Sequence, residues 1–168
     1  FINDCEYYEC TEDGWAGPFT LDNSECSDGD AQVALIIGEV SAANSDQLVE
    51  VPIYYESIVD LAGIQFTISD SPDWVESVDI VSSLGDCFQV ESNDVNGDVI
   101  GIVFSLDGCT LDASDSGFHF VSIMYQLSSD AEWGSFIELT FEEAIVADPE
   151  GTSLPVITHG GGILVSLL

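Results

Sequence analysis

The sequence predicts an all-β sandwich or barrel behind a disulfide-tied N-terminal arm, and three observations carry that expectation. From Ala31 onward, short apolar runs rich in Val, Ile, Phe and Tyr are broken by Asn, Asp, Gly and Ser about every eight to twelve residues. No stretch sustains a 3.6-residue apolar period, so helices are not expected. The apolar fraction of 46% is that of a chain able to bury a core, and 168 residues fit one ordinary domain plus an appendage.

Residues 1–30 hold three of the five cysteines, many acids and little periodic pattern, and read as a Cys-rich acidic arm. Residues 31–168 read as the sandwich. Its candidate strands are 33–40, 48–56, 62–69, 75–81, 87–92, 99–106, 118–127, 136–147 and 162–168. Within 62–69, Ile64, Phe66 and Ile68 alternate cleanly toward one face. In 48–56, Leu48, Val51, Ile53 and Tyr55 share a face only if the pattern slips at Val49. Asn96-Gly97 is the strongest turn signal, because this pair tolerates the positive φ angles of a two-residue hairpin.

Charge is the most unusual property: 32 Asp and Glu face no Lys or Arg, a formal charge of −32. No Lys or Arg can pair with these carboxylates, and the surface gains from whatever screens or coordinates them, salt or a divalent cation such as calcium. The same balance argues against nucleic acid and anionic membranes, which are gripped by Lys and Arg. Cys5, Cys10, Cys26, Cys87 and Cys109 match no CxxC metal pattern and read as disulfide cysteines of a secreted or surface-exposed protein, with one thiol unaccounted for. A hairpin turning at Asn96-Gly97 sets Cys87 opposite Leu106. Cys109 lies about three residues further on, so a Cys87–Cys109 bridge needs a bulge or longer turn. A chain opening at Phe1 without a signal-like segment reads as a mature exported product.

Three segments carry a resemblance: VEVPIYYESIVDLAGIQFTIS (49–69), VIGIVFSLDGCTLDASDSGFHFVSIMY (99–125) and IELTFEEAIVADPEGTSLPVITHGGGILV (137–165). In order and spacing they resemble the cohesins, nine-stranded jelly-roll modules of extracellular bacterial and archaeal proteins. The resemblance covers about residues 31–166. It implies an all-β, about nine-stranded β-sandwich of jelly-roll type, without a catalytic centre, used for attachment to protein partners. The Cys-rich arm and the lack of Lys and Arg depart from the usual module and set dockerin recognition apart from the fold itself.

Several motifs compete with simpler readings. Asp94, Asn96 and Asp98 resemble half of a calcium loop, yet Val99 stands where such a loop needs Gly and Ser105 where it needs a bidentate acid. The same residues serve equally as a hairpin turn. Asp28 with Asp30, and Asp148 near Glu150, are further acid pairs that could hold calcium. Asp115-Ser116-Gly117 lacks the second aspartate of a proteolytic dyad, and His159 with the following glycines lacks a nucleophile elbow. No enzyme activity is expected. Trp74 and Trp133 could stack on sugar rings or pack in and around the core. The C-terminal run, with Ile163, Leu164, Val165, Leu167 and Leu168, is either the domain's own last strand or a strand that pairs with the next copy. The sequence thus favours a non-catalytic structural or adhesion module self-assembling into a calcium-stabilised filament or layer. A carbohydrate-binding or dockerin-type module is the alternative.

Overall fold

A computed structural model of the chain describes residues 6–11, 14–20, 31–43 and 48–166. The chain divides into two compact units, Phe1–Ala31 and Gln32–Leu168. In the first, β1 (Glu6–Thr11) and β2 (Gly14–Thr20) pair antiparallel, with Cys10 opposite Trp15 in the backbone register. Cys5, Cys26, Asp28 and Asp30 lie outside the described residues, as do Leu167 and Leu168.

The second unit is a two-sheet sandwich. Its strands are β3 (Val33–Ile37), β4 (Glu39–Ala43), β5 (Leu48–Ser57), β6 (Gly63–Ser71), β7 (Val75–Ser82) and β8 (Gln89–Val95). They continue with β9 (Asp98–Phe104), β10 (Ser114–Leu127), β11 (Phe136–Ala147), β12 (Val156–His159) and β13 (Gly161–Ser166). One sheet has the order β12-β3-β5-β10-β7 and the other β4-β13-β11-β6-β9-β8. The sequence led us to expect about nine strands, and both extra ones arise where a strand leaves one sheet for the other. The run 33–40 splits at Gly38, so that β3 pairs in the first sheet and β4 in the second. Opposite it, β12 runs parallel to β3 and β13 parallel to β4, with the break at Gly160. The crossing is tight: a Cβ on Gly161 would lie 2.3 Å from the Ile37 carbonyl oxygen, which only glycine avoids.

Alternation decides which face each strand buries. On β5, Val49, Val51, Ile53 and Tyr55 are buried while Leu48 is 57% exposed. The slip expected at Val49 therefore does not occur; the strand alternates regularly and Leu48 faces outward. Ile64, Phe66 and Ile68 of β6 lie opposite Val146, Ala144 and Phe141 of β11 in the register and face the core. Edge-to-face contacts link Tyr55 to Phe120 (5.7 Å), Phe120 to Phe66 (6.5 Å) and Phe66 to Phe141 (6.1 Å) across the two sheets. Phe66 occupies the space above Gly101, where a Cβ would come within 2.3 Å of its ring.

The β8–β9 hairpin turns at Asn96 and Gly97, with φ of 58° and 94°, as expected from this dipeptide. Cys87 and Cys109 form a disulfide with Cα atoms 6.2 Å apart. The three-residue excess is taken up beyond the ladder: Ser105 Oγ accepts the N–H groups of Asp107 and Cys109, and Gly108 adopts φ 77°, which curls the chain back toward Cys87.

Candidate functional site

Where the second sheet turns away from the core, its register lays out a four-strand face. One row across β11, β6, β9 and β8 is Ile145, Gln65, Ile102 and Glu91, and the next is Glu143, Thr67, Ile100 and Asn93. A third row toward the strand ends is Ala147, Gly63, Phe104 and Gln89. Because Val99, Gly101 and Val103 point inward, Ile100, Ile102 and Phe104 must point outward along β9. Ile102 is 37% and Ile145 44% exposed. The result is an apolar strip beside a row of amides and hydroxyls, bordered by carboxylates.

A β-bulge between Phe141 and Glu143 shapes that border. The extra residue exposes both Glu142 and Glu143 on successive positions, and Ser69 Oγ donates to Glu142 Oε1 at 2.6 Å. Sequence reasoning missed this face, since Ile100, Ile102 and Ile145 read there as ordinary strand residues. The signal was present in the continuous apolar run 99–104: a strand with one buried face needs only every second residue apolar, so the excess must be exposed.

The residues singled out in the sequence fall elsewhere. Asp94 accepts Gly97 N–H (3.1 Å) on Oδ1 and the Ser77 hydroxyl (3.1 Å) on Oδ2, while Asn96 supplies the positive-φ turn position. Asp148 Oδ1 accepts the N–H groups of Glu150 (3.0 Å) and Thr152 (2.7 Å) and so closes a turn ending at Gly151. Among the described residues no three His, Cys, Asp or Glu converge in a metal-binding group; Asp94, Asn96 and Asp148 are engaged in turns and Asp98 opens β9. Trp74 is partly buried against the core and Trp133 is 63% exposed. Ile163 and Val165 are fully buried and β13 is hydrogen-bonded on both sides, to β11 and β4. Leu164 alone of the three is exposed. Ile163, Leu164 and Val165 thus belong to the domain's own strand β13.

Asp70, absent from the sequence-derived candidates, is the most perturbed carboxyl among the described residues. It ends β6 on the inward side opposite Leu139, and its Oδ2 is buried with no hydrogen-bond partner. Burial raises its pKa to about 6, and Asp73, Asp98 and Asp94 add to the rise. The Tyr125 phenol is pushed up as well, by burial first and then by Asp70 and Asp94. His119 approaches two serines, with Nε2 2.7 Å from Ser122 Oγ, but Ser122 is buried out of reach of any substrate. Ser83 Oγ lies nearly equidistant from both ring nitrogens, at 3.3 and 3.4 Å, which is a contact and not an aligned base–nucleophile bond.

No family model and no curated protein sequence matches the chain. Solved structures do match in fold. The sixth cohesin of scaffoldin B from Acetivibrio cellulolyticus, solved in complex with a dockerin, aligns with TM-score 0.65 over 80% of this chain and 99% of its own, at 17% identity. A non-cellulosomal cohesin from the archaeon Archaeoglobus fulgidus aligns with TM-score 0.63 over 79% and 90%, at 18% identity. The solution structure of CaCohA2 from Clostridium acetobutylicum gives 0.62 over 82% and 92%, at 22% identity. The second unit therefore has the cohesin-like fold expected from the three sequence segments.

Proposed function

We propose that this chain is a non-catalytic, extracellular protein-binding module that takes its partner on the outer face of β11-β6-β9-β8. The observation that carries the reading is the apolar strip of Ile100, Ile102, Phe104 and Ile145, set on the outer sheet face and bordered by Glu91, Glu142 and Glu143. A sheet whose outer side meets only water does not need such a strip. The Cys87–Cys109 bridge supports an oxidising compartment, and the fold is shared with modules solved as complexes with dockerins. The fitting partner surface is apolar at its centre and carries Lys or Arg at its rim, because this chain supplies only negative charge.

Self-assembly into a filament is the weaker reading. Two copies meeting through this face would oppose like-charged borders, and β13 is already paired on both sides within its own sheet. Calcium, on this account, acts mainly by screening −32 charges rather than at one assembled site. The test is calorimetric titration with the dockerins of the neighbouring cohesins, alongside a glycan array and light scattering in millimolar calcium. We expect saturable protein binding that Ile102→Asp weakens at least ~10-fold without unfolding, in line with loss of a central apolar anchor. Binding unchanged in Ile102→Asp, a glycan as the sole ligand, or calcium-driven polymers would overturn the reading.

A further inference from the structure

We propose that a cleft at the disulfide-bearing end of the sandwich binds an arginine or lysine side chain presented by a partner protein. The cleft measures about 380 Å³ and is lined by the buried Tyr55 and Leu111, the half-buried Leu84 and Phe88, and the exposed Phe118 and Asp112. Phe118 is 45% exposed and its ring centroid lies 5.4 Å from that of the buried Tyr55, so one aromatic surface, backed by a second ring, is open to an occupant. An apolar lining with a carboxylate matches a side chain with an aliphatic stem and a cationic head, and an open aromatic ring attracts that head further.

Charge commits the occupant. The Tyr55 phenol is pushed up by burial first and then by Asp112 and Asp60, so two carboxylates act on a hydroxyl that lines the cleft. Asp60 is fixed there by accepting Ala113 N–H at 2.9 Å. The chain has no Lys or Arg, so the complementary side chain has to come from another molecule.

The cleft is also built before anything binds. The Cys87–Cys109 disulfide ties the segment carrying Phe88 to the segment carrying Thr110 to Ser114. Leu61 and Leu111 exchange two backbone hydrogen bonds of 2.8 Å, and the Tyr55 hydroxyl donates to the Asp112 carbonyl at 2.8 Å. A preformed site loses little freedom on binding, which favours a specific contact over diffuse attraction to the acidic surface. The cleft lies off the outer sheet face and stands or falls separately from that reading.

The experiment is a ¹H–¹⁵N titration of the full chain with acetyl-Gly-Ser-Arg-Ser-Gly-amide, against the same peptide carrying neutral citrulline, at fixed ionic strength. We expect saturable shifts confined to Leu84, Phe88, Thr110 to Ser114 and Phe118, and ~10-fold weaker or absent with citrulline. Phe118→Ala and Asp112→Asn should each weaken binding ~3- to 10-fold with the rest of the spectrum unchanged, while Ile102→Asp binds the peptide like the parent. Equal response to both peptides, unsaturated shifts scattered over all acidic residues, or full binding by the two cleft variants would overturn the proposal.

Discussion

At the end of the sandwich where β5 leads into β6, aspartates build structure: Asp60 holds Ala113 N–H, and Asp148 holds the N–H groups of Glu150 and Thr152. At the opposite end, where β6 stops and β8 turns into β9, Asp70 gathers with Asp73, Asp94 and Asp98. There Asp94 is satisfied by Gly97 N–H and the Ser77 hydroxyl, whereas Asp70 buries an oxygen with no partner. In a chain without Lys or Arg, backbone N–H groups and hydroxyls are the main donors left for carboxylates. Where a turn aims its N–H groups inward, a carboxylate organises the loop. Where β6 ends, burial and three neighbouring carboxylates outweigh the single backbone hydrogen bond that favours the charged Asp70, and its proton is held more tightly instead.

Opening the first end should have the largest effect. Cys87 and Cys109 are 22 residues apart, and removing a crosslink of that span costs about 3 kcal/mol in the chain-entropy account. A Cys87→Ser, Cys109→Ser double variant should melt about 10 °C lower. Hydrogen exchange should rise first around residues 83–88 and 105–113 while the Asn96-Gly97 turn keeps its protection. Uniform loss of protection at both ends would mean that the disulfide steadies the whole sandwich rather than one end.

Between the two ends, the centre of the sheet depends on Gly101, where a methyl group would enter the Phe66 ring. Phe66 sits in the aromatic chain from Tyr55 to Phe141 and cannot retreat without displacing Phe120 or Phe141. Gly101→Ala should therefore cost about 1–3 kcal/mol by overpacking, measured by urea unfolding with an unchanged m-value. A neutral result would show that the core has slack at this point.

How much of this was legible beforehand follows from which interactions are local. The hairpin at Asn96-Gly97 was readable because two residues set their own φ angles, and the Cys87–Cys109 pairing because that hairpin brings them close. The alternation of Ile64, Phe66 and Ile68 fixed the core face of β6. The sheet crossing at Gly38 was not readable, since a strand that changes sheets keeps its apolar texture and the cause lies in Gly161, more than a hundred residues away. The outer apolar strip and the cleft escaped for the same reason: each joins residues from three or more strands or loops. The calcium candidates were chosen from spacing and charge, and neither shows that Asp94 and Asp148 also accept turn N–H groups. Asp70 passed unnoticed because the first cause of its perturbation is burial where β6 ends, which the nearby Asp73 only adds to.

The smallest expected effect is also the sharpest test of the difference between the ends. Asp70 has its pKa raised from 3.8 to about 6, so between these values the folded state holds more protons than the unfolded chain. The sign follows: its contribution is fully stabilising below about 3.8 and is lost as the pH rises through about 6, the reverse of the usual paired carboxylate. Since Asp70 is only partly buried, the amount is below about 1 kcal/mol once solvent screening is allowed for. Asp70→Asn keeps the shape and removes the ionisation, so it should raise the melting temperature at pH 7.5 by about 1–3 °C and leave it unchanged near pH 4. Asp60→Asn at the other end should do the opposite at pH 7.5, because it weakens an acceptor already in use by Ala113 N–H. If both variants shift stability in the same direction at pH 7.5, general relief of charge repulsion outweighs local hydrogen bonding, and the two ends do not differ in the way their geometry implies.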